Sequence, residues 1–261
     1  MRYDRKAIVD YEAVIALEPP KNWVSTLPSS PPLVIERGQD PSVLVVAFTG
    51  FTGKLSVPTF DFLRSTELLN YNRILLRDRS RTCYMNGIPP VADGLGALVA
   101  LLRQHIDEHA PKCTLFIGSS GGSHAAILFG HLLGADYVHA FSPHTNIDPA
   151  YCRASEVSKD VEAFGDTLDR LDRLPASAHA YYDLREVLRE PNGKTAYNLH
   201  ACARSEPDMA RVLHLDGLPG VTIHRHDCDH HRVVVFLARH QRLLPMLKIE
   251  NQPALAGAAG D

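Results

Sequence analysis

Nothing in this 261-residue chain is long and apolar enough to span a bilayer, which takes about 18 residues or more. A strong charge of one sign is also missing. Lys and Arg number 27 against 30 Asp and Glu, a net charge of −3, so no polyanionic partner is called for. No basic patch is interleaved with aromatics, which argues against nucleic-acid binding. The one local basic run, Arg73, Arg77, Arg79 and Arg81, reads as a strand end and a solvated loop, with an anionic substrate contact as the other use. The segment Met1-Arg2-Tyr3-Asp4-Arg5-Lys6 leads into no signal-peptide core. Cysteine is sparse. The five, Cys83, Cys113, Cys152, Cys202 and Cys228, are odd in number and scattered, the usage of reduced thiols in a cytoplasm. There is no internal repeat and no domain boundary, so residues 1–261 are expected to form a single domain.

What is present is a sizeable apolar fraction, 45%, arranged as short runs alternating with longer amphipathic stretches. The most informative stretch is Cys113 to Leu132. Cys113 to Ile117 suits a buried strand, and Ala125, Leu128, Phe129 and Leu132 share one face of a helix. Between them lies Gly118-x-Ser120-x-Gly122. A strand turning sharply into a helix around G-x-S-x-G is a nucleophile elbow, in which the serine sits at the tip of a strained turn. Glycines flank it because strand and helix approach too closely for a Cβ. Ser119 would have Ile117 two residues before it, and Ser123 would lie inside the helix; Ser120 alone has glycine on both sides. A phosphate-binding use of the same loop lacks the Gly-Lys-Ser/Thr of a P-loop.

On these residues the chain resembles the α/β-hydrolase superfamily, whose doubly wound sheet carries serine, acid and histidine in that chain order. The rest of the chain reads in keeping. Strands are expected at Ala13–Leu17, Leu33–Glu36, Val43–Phe48, Asn72–Leu76, Asp136–Phe141, Lys194–Ala203 and Val221–His226, besides the elbow strand. Helices are expected at Pro58–Leu69, Val91–His109, Met209–Leu215 and Val233–Leu244, with a polar loop over Arg77–Pro90 and a frayed tail over residues 251–261. The alternation predicts an α/β-hydrolase fold: a mostly parallel central sheet flanked by helices, with right-handed crossovers. Residues 146–192 hold helical pieces at Val157–Leu174 and Tyr182–Arg189 and no clear strand. They fall where the resembled fold inserts a small helical cap, with Tyr151, Phe164, Tyr181 and Tyr182 as candidate lid aromatics.

The resemblance also implies roles. The loop after Val43–Phe48, Thr49-Gly50-Phe51-Thr52-Gly53, would lend the Phe51 amide to an oxyanion hole, and Gly121, following the nucleophile, would lend the second. Relatives often have His-Gly where this chain has Thr49-Gly50. The acid would follow the penultimate strand, at Asp208, with Glu206 as its rival. The base would follow the last strand, at His231, with His230 as its rival; an apolar helix directly after His231 favours it. His124 and His144 follow strand ends near the elbow, where pocket-lining residues gather.

These parts imply a serine hydrolase that cleaves an ester or thioester of a small molecule through an acyl-enzyme, with no cofactor and no metal. An acyltransferase would use the same residues. A non-catalytic binding protein on the same fold is the third reading, though such proteins usually lose the serine, the histidine or the oxyanion glycines. The His224-Arg225-His226-Asp227-Cys228-Asp229-His230 segment comes near a metallo-hydrolase H-x-H-x-D-H, but is one residue too long for it. The oligomeric state is open: the Val- and Leu-rich last helix suits its own sheet or a partner.

Overall fold

The computed structural model describes residues 31–155 and 162–252. The expected strand at Ala13–Leu17, the start of the Val157–Leu174 helix and nearly all of the expected frayed tail lie outside the described residues.

The strands in chain order are β1 (Leu33–Glu36), β2 (Asp40–Phe48), β3 (Tyr71–Leu76), the two-residue β4 (Gly87–Ile88) and β5 (Ala92–Asp93), β6 (Cys113–Ser119), β7 (Tyr137–Phe141), β8 (Ala196–Cys202) and β9 (Val221–His226). Seven of them form one sheet in the order β1-β3-β2-β6-β7-β8-β9. Only β1 runs antiparallel, along β3; every other neighbour is parallel. β2 is buried continuously from Val43 to Phe48, as a strand covered on both faces must be. One core, around Phe48, Phe116 and Phe129, fills one face of the sheet, and another, around Phe62, Phe141 and Leu237, fills the other.

The helices are α1 (Thr59–Ser65), α2 (Leu95–His109), α3 (Gly121–Leu133), α4 (Pro149–Ala154), α5 (Glu162–Leu171), α6 (Ala176–His179), α7 (Leu184–Val187), α8 (Glu206–Leu213), α9 (Val233–Arg239) and α10 (Leu243–Leu247). Among the described residues none is long and apolar enough to cross a membrane.

Several boundaries differ from the sequence reading for local reasons. α1 stops at Ser65 because the Thr66 hydroxyl bonds back to the Phe62 carbonyl and Glu67 turns left-handed at φ 59°. α2 starts at Leu95 rather than Val91, since Ala92 and Asp93 pair with Ile88 and Gly87. The Arg77–Pro90 stretch is not simply a polar loop. Buried Asp78 accepts the Thr82 and Tyr84 amides at 2.7 and 2.9 Å, and Cys83, Tyr84 and Met85 plug the core. The last helix is two, broken where Gln241 adopts φ 55°. α8 begins at Glu206, earlier than expected, because the Ser205 side chain caps it.

The cysteines require a correction. Cys202 and Cys228 form a disulfide, with Cα atoms 4.8 Å apart. Parallel register sets Cys202 opposite His226, and the chain then turns back, the Cys228 amide donating to the His226 carbonyl. A 26-residue separation hides this pairing in the sequence. Cys83, Cys113 and Cys152 are free, but the thiols as a set no longer argue for a cytoplasm.

Candidate active site

β6 runs into α3 through Ser120, whose φ of 56° and ψ of −123° put it at the tip of a strained turn. The strain is held from both sides. The Ser120 amide donates to the Phe141 carbonyl, and a Cβ on Gly122 would strike the Phe48 backbone. A Cβ on Gly118 would strike Gly122 in turn, so both elbow glycines are sterically required.

Ser120 Oγ lies 3.0 Å from His231 Nε2, and His231 Nδ1 lies 2.6 Å from Asp208 Oδ1. A carboxylate only accepts, so His231 donates from Nδ1 and its Nε2 is left to accept the serine proton. Asp208 is buried, in the first turn of α8, and its second oxygen accepts the Ser142 hydroxyl at 2.8 Å. Arg211, one turn on, reaches Oδ1 at 3.5 Å. Of the sequence alternatives, Glu206 faces solvent. His230 is 81% exposed and pairs with Asp229 at 3.8 Å. The structure therefore brings together Ser120, His231 and Asp208 and leaves Glu206 and His230 apart.

The oxyanion expectation concerns two amides. Gly50 lies against the elbow, since a Cβ there would come within 2.8 Å of the Ser119 carbonyl. The next residue, Phe51, lays its ring over Gly121. Neither the Phe51 nor the Gly121 amide makes a hydrogen bond among the described residues. Thr49, standing where relatives often have histidine, is buried and donates its hydroxyl to the Leu76 carbonyl at 3.1 Å.

The two neighbouring histidines divide. His124 is buried, with Nδ1 2.9 Å from the His144 carbonyl and Nε2 3.1 Å from the Tyr181 carbonyl; burial pushes it down to about 4, so the neutral ring donates to one of them, the nearer being that of His144. It serves the packing of α3. His144 instead points at the serine, with Nε2 3.4 Å from Ser120 Oγ. Its ring stacks on Phe164 at 4.7 Å and lies 6.0 Å from Phe51. Burial, then the charges of Arg211, His231 and His124, hold His144 well below the usual imidazole range. Beside it opens a cavity of about 40 Å³ lined by Asn146, Tyr151, Phe164, Arg211 and His214. Of the aromatics proposed for a lid, Phe164 faces this site and Tyr151 is half exposed. Tyr182 is buried with its hydroxyl on the Leu171 carbonyl, and Tyr181 packs on the main core.

The basic run splits as well. Arg73 pairs with Glu36 at 2.9 Å, while Arg81 lies over the Phe51 ring at 5.7 Å. The histidines of the suspected metal segment form no metal cluster among the described residues. His224 bonds Asn198 at 2.9 Å, and His226 bonds His200 at 3.3 Å. Ser142, which donates to Asp208, is a contact that the sequence does not mark. It sits one position past β7 with φ 47°, and a positive φ at a non-glycine strand end has no signature in sequence.

No family model matches the chain, and no curated protein matches it in sequence. Solved structures do match in shape. A candidate esterase from Staphylococcus aureus superposes with a TM-score of 0.57 at 13% identity, over 95% of this chain and 91% of that one. A capsule O-acetyltransferase of Neisseria meningitidis serogroup A gives 0.56 at 12%, over 80% and 87%. Esterase B from Lactobacillus rhamnosis, inhibited by a tributyrin phosphonate, gives 0.51 at 14%, over 95% and 87%. With a mostly parallel seven-stranded sheet and a strand–serine–helix elbow at its centre, this chain has the α/β-hydrolase fold.

Proposed function

We propose that this chain is a serine hydrolase acting on an ester or thioester of a small molecule, with Ser120 as nucleophile, His231 as general base and acid, and Asp208 as the orienting acid. The observation that carries the reading is the hydrogen-bonded line from Asp208 through His231 to Ser120. A serine hydroxyl is a weak nucleophile at neutral pH until an oriented base takes its proton. In the proposed cycle His231 Nε2 accepts that proton as Ser120 Oγ attacks the carbonyl carbon. The Phe51 and Gly121 amides receive the oxygen that turns negative. His231 then gives the proton to the leaving alcohol or thiol. Water, deprotonated by His231, releases the acid and restores the serine. The cavity beside His144 has room for a few waters or a short acyl group, which favours a small acyl substrate. Helices α4 to α7 would act as a small cap, with Phe164 its contact to the site.

A second reading, acyl transfer to an alcohol instead of water, uses the same residues and is favoured by the fold likeness to a capsule O-acetyltransferase. The test is fluorophosphonate labelling with peptide mapping. Label on Ser120, absent in Ser120→Ala, is expected. Label at another residue would overturn the assignment of Ser120, and a folded chain that takes no label would leave a non-catalytic binding protein as the better reading. Product analysis with and without added alcohol then separates hydrolysis from transfer.

A further inference from the structure

Two imidazoles, not one, reach the nucleophile. His231 Nε2 lies 3.0 Å and His144 Nε2 3.4 Å from Ser120 Oγ. The two rings have centroids 5.6 Å apart and are inclined at 50°. Their roles follow from proton bookkeeping. Asp208 accepts a hydrogen bond from the Nδ1–H of His231, so neutral His231 has a bare Nε2. That nitrogen accepts the hydrogen bond of the single Ser120 O–H. Ser120 Oγ then has only lone pairs to offer His144, so a hydrogen bond between them requires His144 to donate.

Resting on the serine-nucleophile reading, we propose that His144 is a second catalytic histidine: its Nε2–H donates to Ser120 Oγ, aims the serine proton at His231, and stabilises the negative charge that grows on Oγ as that proton leaves. The step balances without a further reactant. One proton moves from Oγ to His231, and the His144 N–H bond never breaks.

The surroundings suit a donor that is never a base. The ring is 5% exposed, stacked on Phe164 with an interplanar angle of 11° and flanked by Phe51. Its backbone is fixed, the carbonyl accepting from His124 Nδ1 at 2.9 Å. A charged ring here would lie beside Arg211 and oppose the positive charge that His231 acquires, so neutrality is what the cycle needs. His231, 37% exposed, is free to take up that charge near water.

The experiment measures second-order fluorophosphonate labelling of Ser120, with ester kcat/KM, in the full chain and in His144→Phe and His144→Gln. Phenylalanine keeps the stacked ring and removes the donor; glutamine places an N–H near the same point. His144→Phe is expected to slow labelling roughly tenfold, the worth of one hydrogen bond, and His144→Gln to stay within about threefold of wild type. Equal loss in both variants, or none in His144→Phe, would overturn the proposal. Absence of label on wild-type Ser120 would sink the nucleophile reading and this inference together. Nitrogen NMR of the unsubstituted protein gives an independent check, free of any folding defect: a neutral His144 protonated at Nε2 is expected, and a neutral Nδ1–H ring rules the donor out.

Discussion

The Phe51 ring occupies the space that a Cβ on Gly121 would need, with ring carbons Cε1 and Cζ at 2.5 and 2.6 Å from that position. The two residues proposed to supply the oxyanion amides are therefore packed on each other. Gly121 is a glycine because its partner's side chain covers it.

Gly121→Ala should accordingly push the Phe51 loop away and spoil one donor. A fall in kcat of about 10²-fold, with KM little changed, is expected, the usual cost of one oxyanion contact. Phe51→Ala clears the space, so the double variant should recover part of the loss. A double-mutant cycle on kcat reads this directly; strictly additive effects would separate the two residues.

How much of this was legible beforehand depended on how local the signal was. The elbow is a local pattern: the glycines around Ser120 answer to contacts within five residues and to one neighbouring strand, so Ser120 stood out. Asp208 and His231 were expected from chain order, His231 also from the apolar helix directly after it, and the fold sets both apart from Glu206 and His230. The Ser142 hydroxyl's donation to Asp208 and the Cys202–Cys228 pair were not legible. Each depends on which residues end adjacent parallel strands, and register across a crossover leaves no mark in the sequence.

Asp208 is expected to act by holding His231 in the Nδ1–H form. Asp208→Asn keeps the shape but lets the amide donate, which favours the wrong ring tautomer. Its kcat should drop by about 10⁴-fold with the fold intact, whereas Ser142→Ala, which removes only the 2.8 Å bond to Oδ2, should cost about tenfold. His230→Ala should cost less than twofold against a near-complete loss in His231→Ala, by the same argument from exposure. Steady-state ester kinetics rank the four variants, and a larger loss in His230→Ala than in His231→Ala would exchange their roles.

The disulfide ties the residue that ends β8, six positions before Asp208, to the loop residue three positions before His231. Arg204 and Asp227 reinforce the same junction at 2.6 Å, though as an exposed pair they add little. Replacing both cysteines with serine removes a cross-link that closes a 26-residue separation, a loss of about 3 kcal/mol. Thermal unfolding should show a lower Tm in the double variant, and in wild type treated with a reductant. Thiol alkylation of the unfolded chain counts the pair. Five alkylated thiols without reduction would mean that the link does not form.

The pH dependence of stability should come from buried histidines, His124 and His144 beside the active site and a row of three further along the sheet. Gln252 fixes its direction. The Gln252 amide nitrogen donates to the Met246 and Lys248 carbonyls, so its oxygen faces His139 Nε2 at 3.0 Å. His139 must donate there, which leaves its Nδ1 to accept from His200 Nε2 at 3.0 Å. His200 Nδ1 accepts in turn from His226 Nε2 at 3.3 Å. All three rings are neutral in this chain, and a proton added to either acceptor nitrogen breaks it. Burial pushes His139 and His226 down to about 4 and His200 well below the usual imidazole range. The unfolded chain would bind these protons near pH 6.5; in the folded chain His139 and His226 bind theirs only near pH 4 and His200 is held down in the same direction, so the unfolded state holds more protons in between. Stability is therefore full above pH 6.5 and declines as the pH falls towards 4. Buried His139 alone is worth about 3 kcal/mol by this linkage, and less once solvent relaxation is counted. Denaturant midpoints should hold from pH 7.5 to about 6.5 and then fall towards about 4.5, and His139→Gln, which removes one titrating ring, should flatten the slope while lowering the plateau. A midpoint that does not move over that range would mean that the row opens to water and protonates without cost.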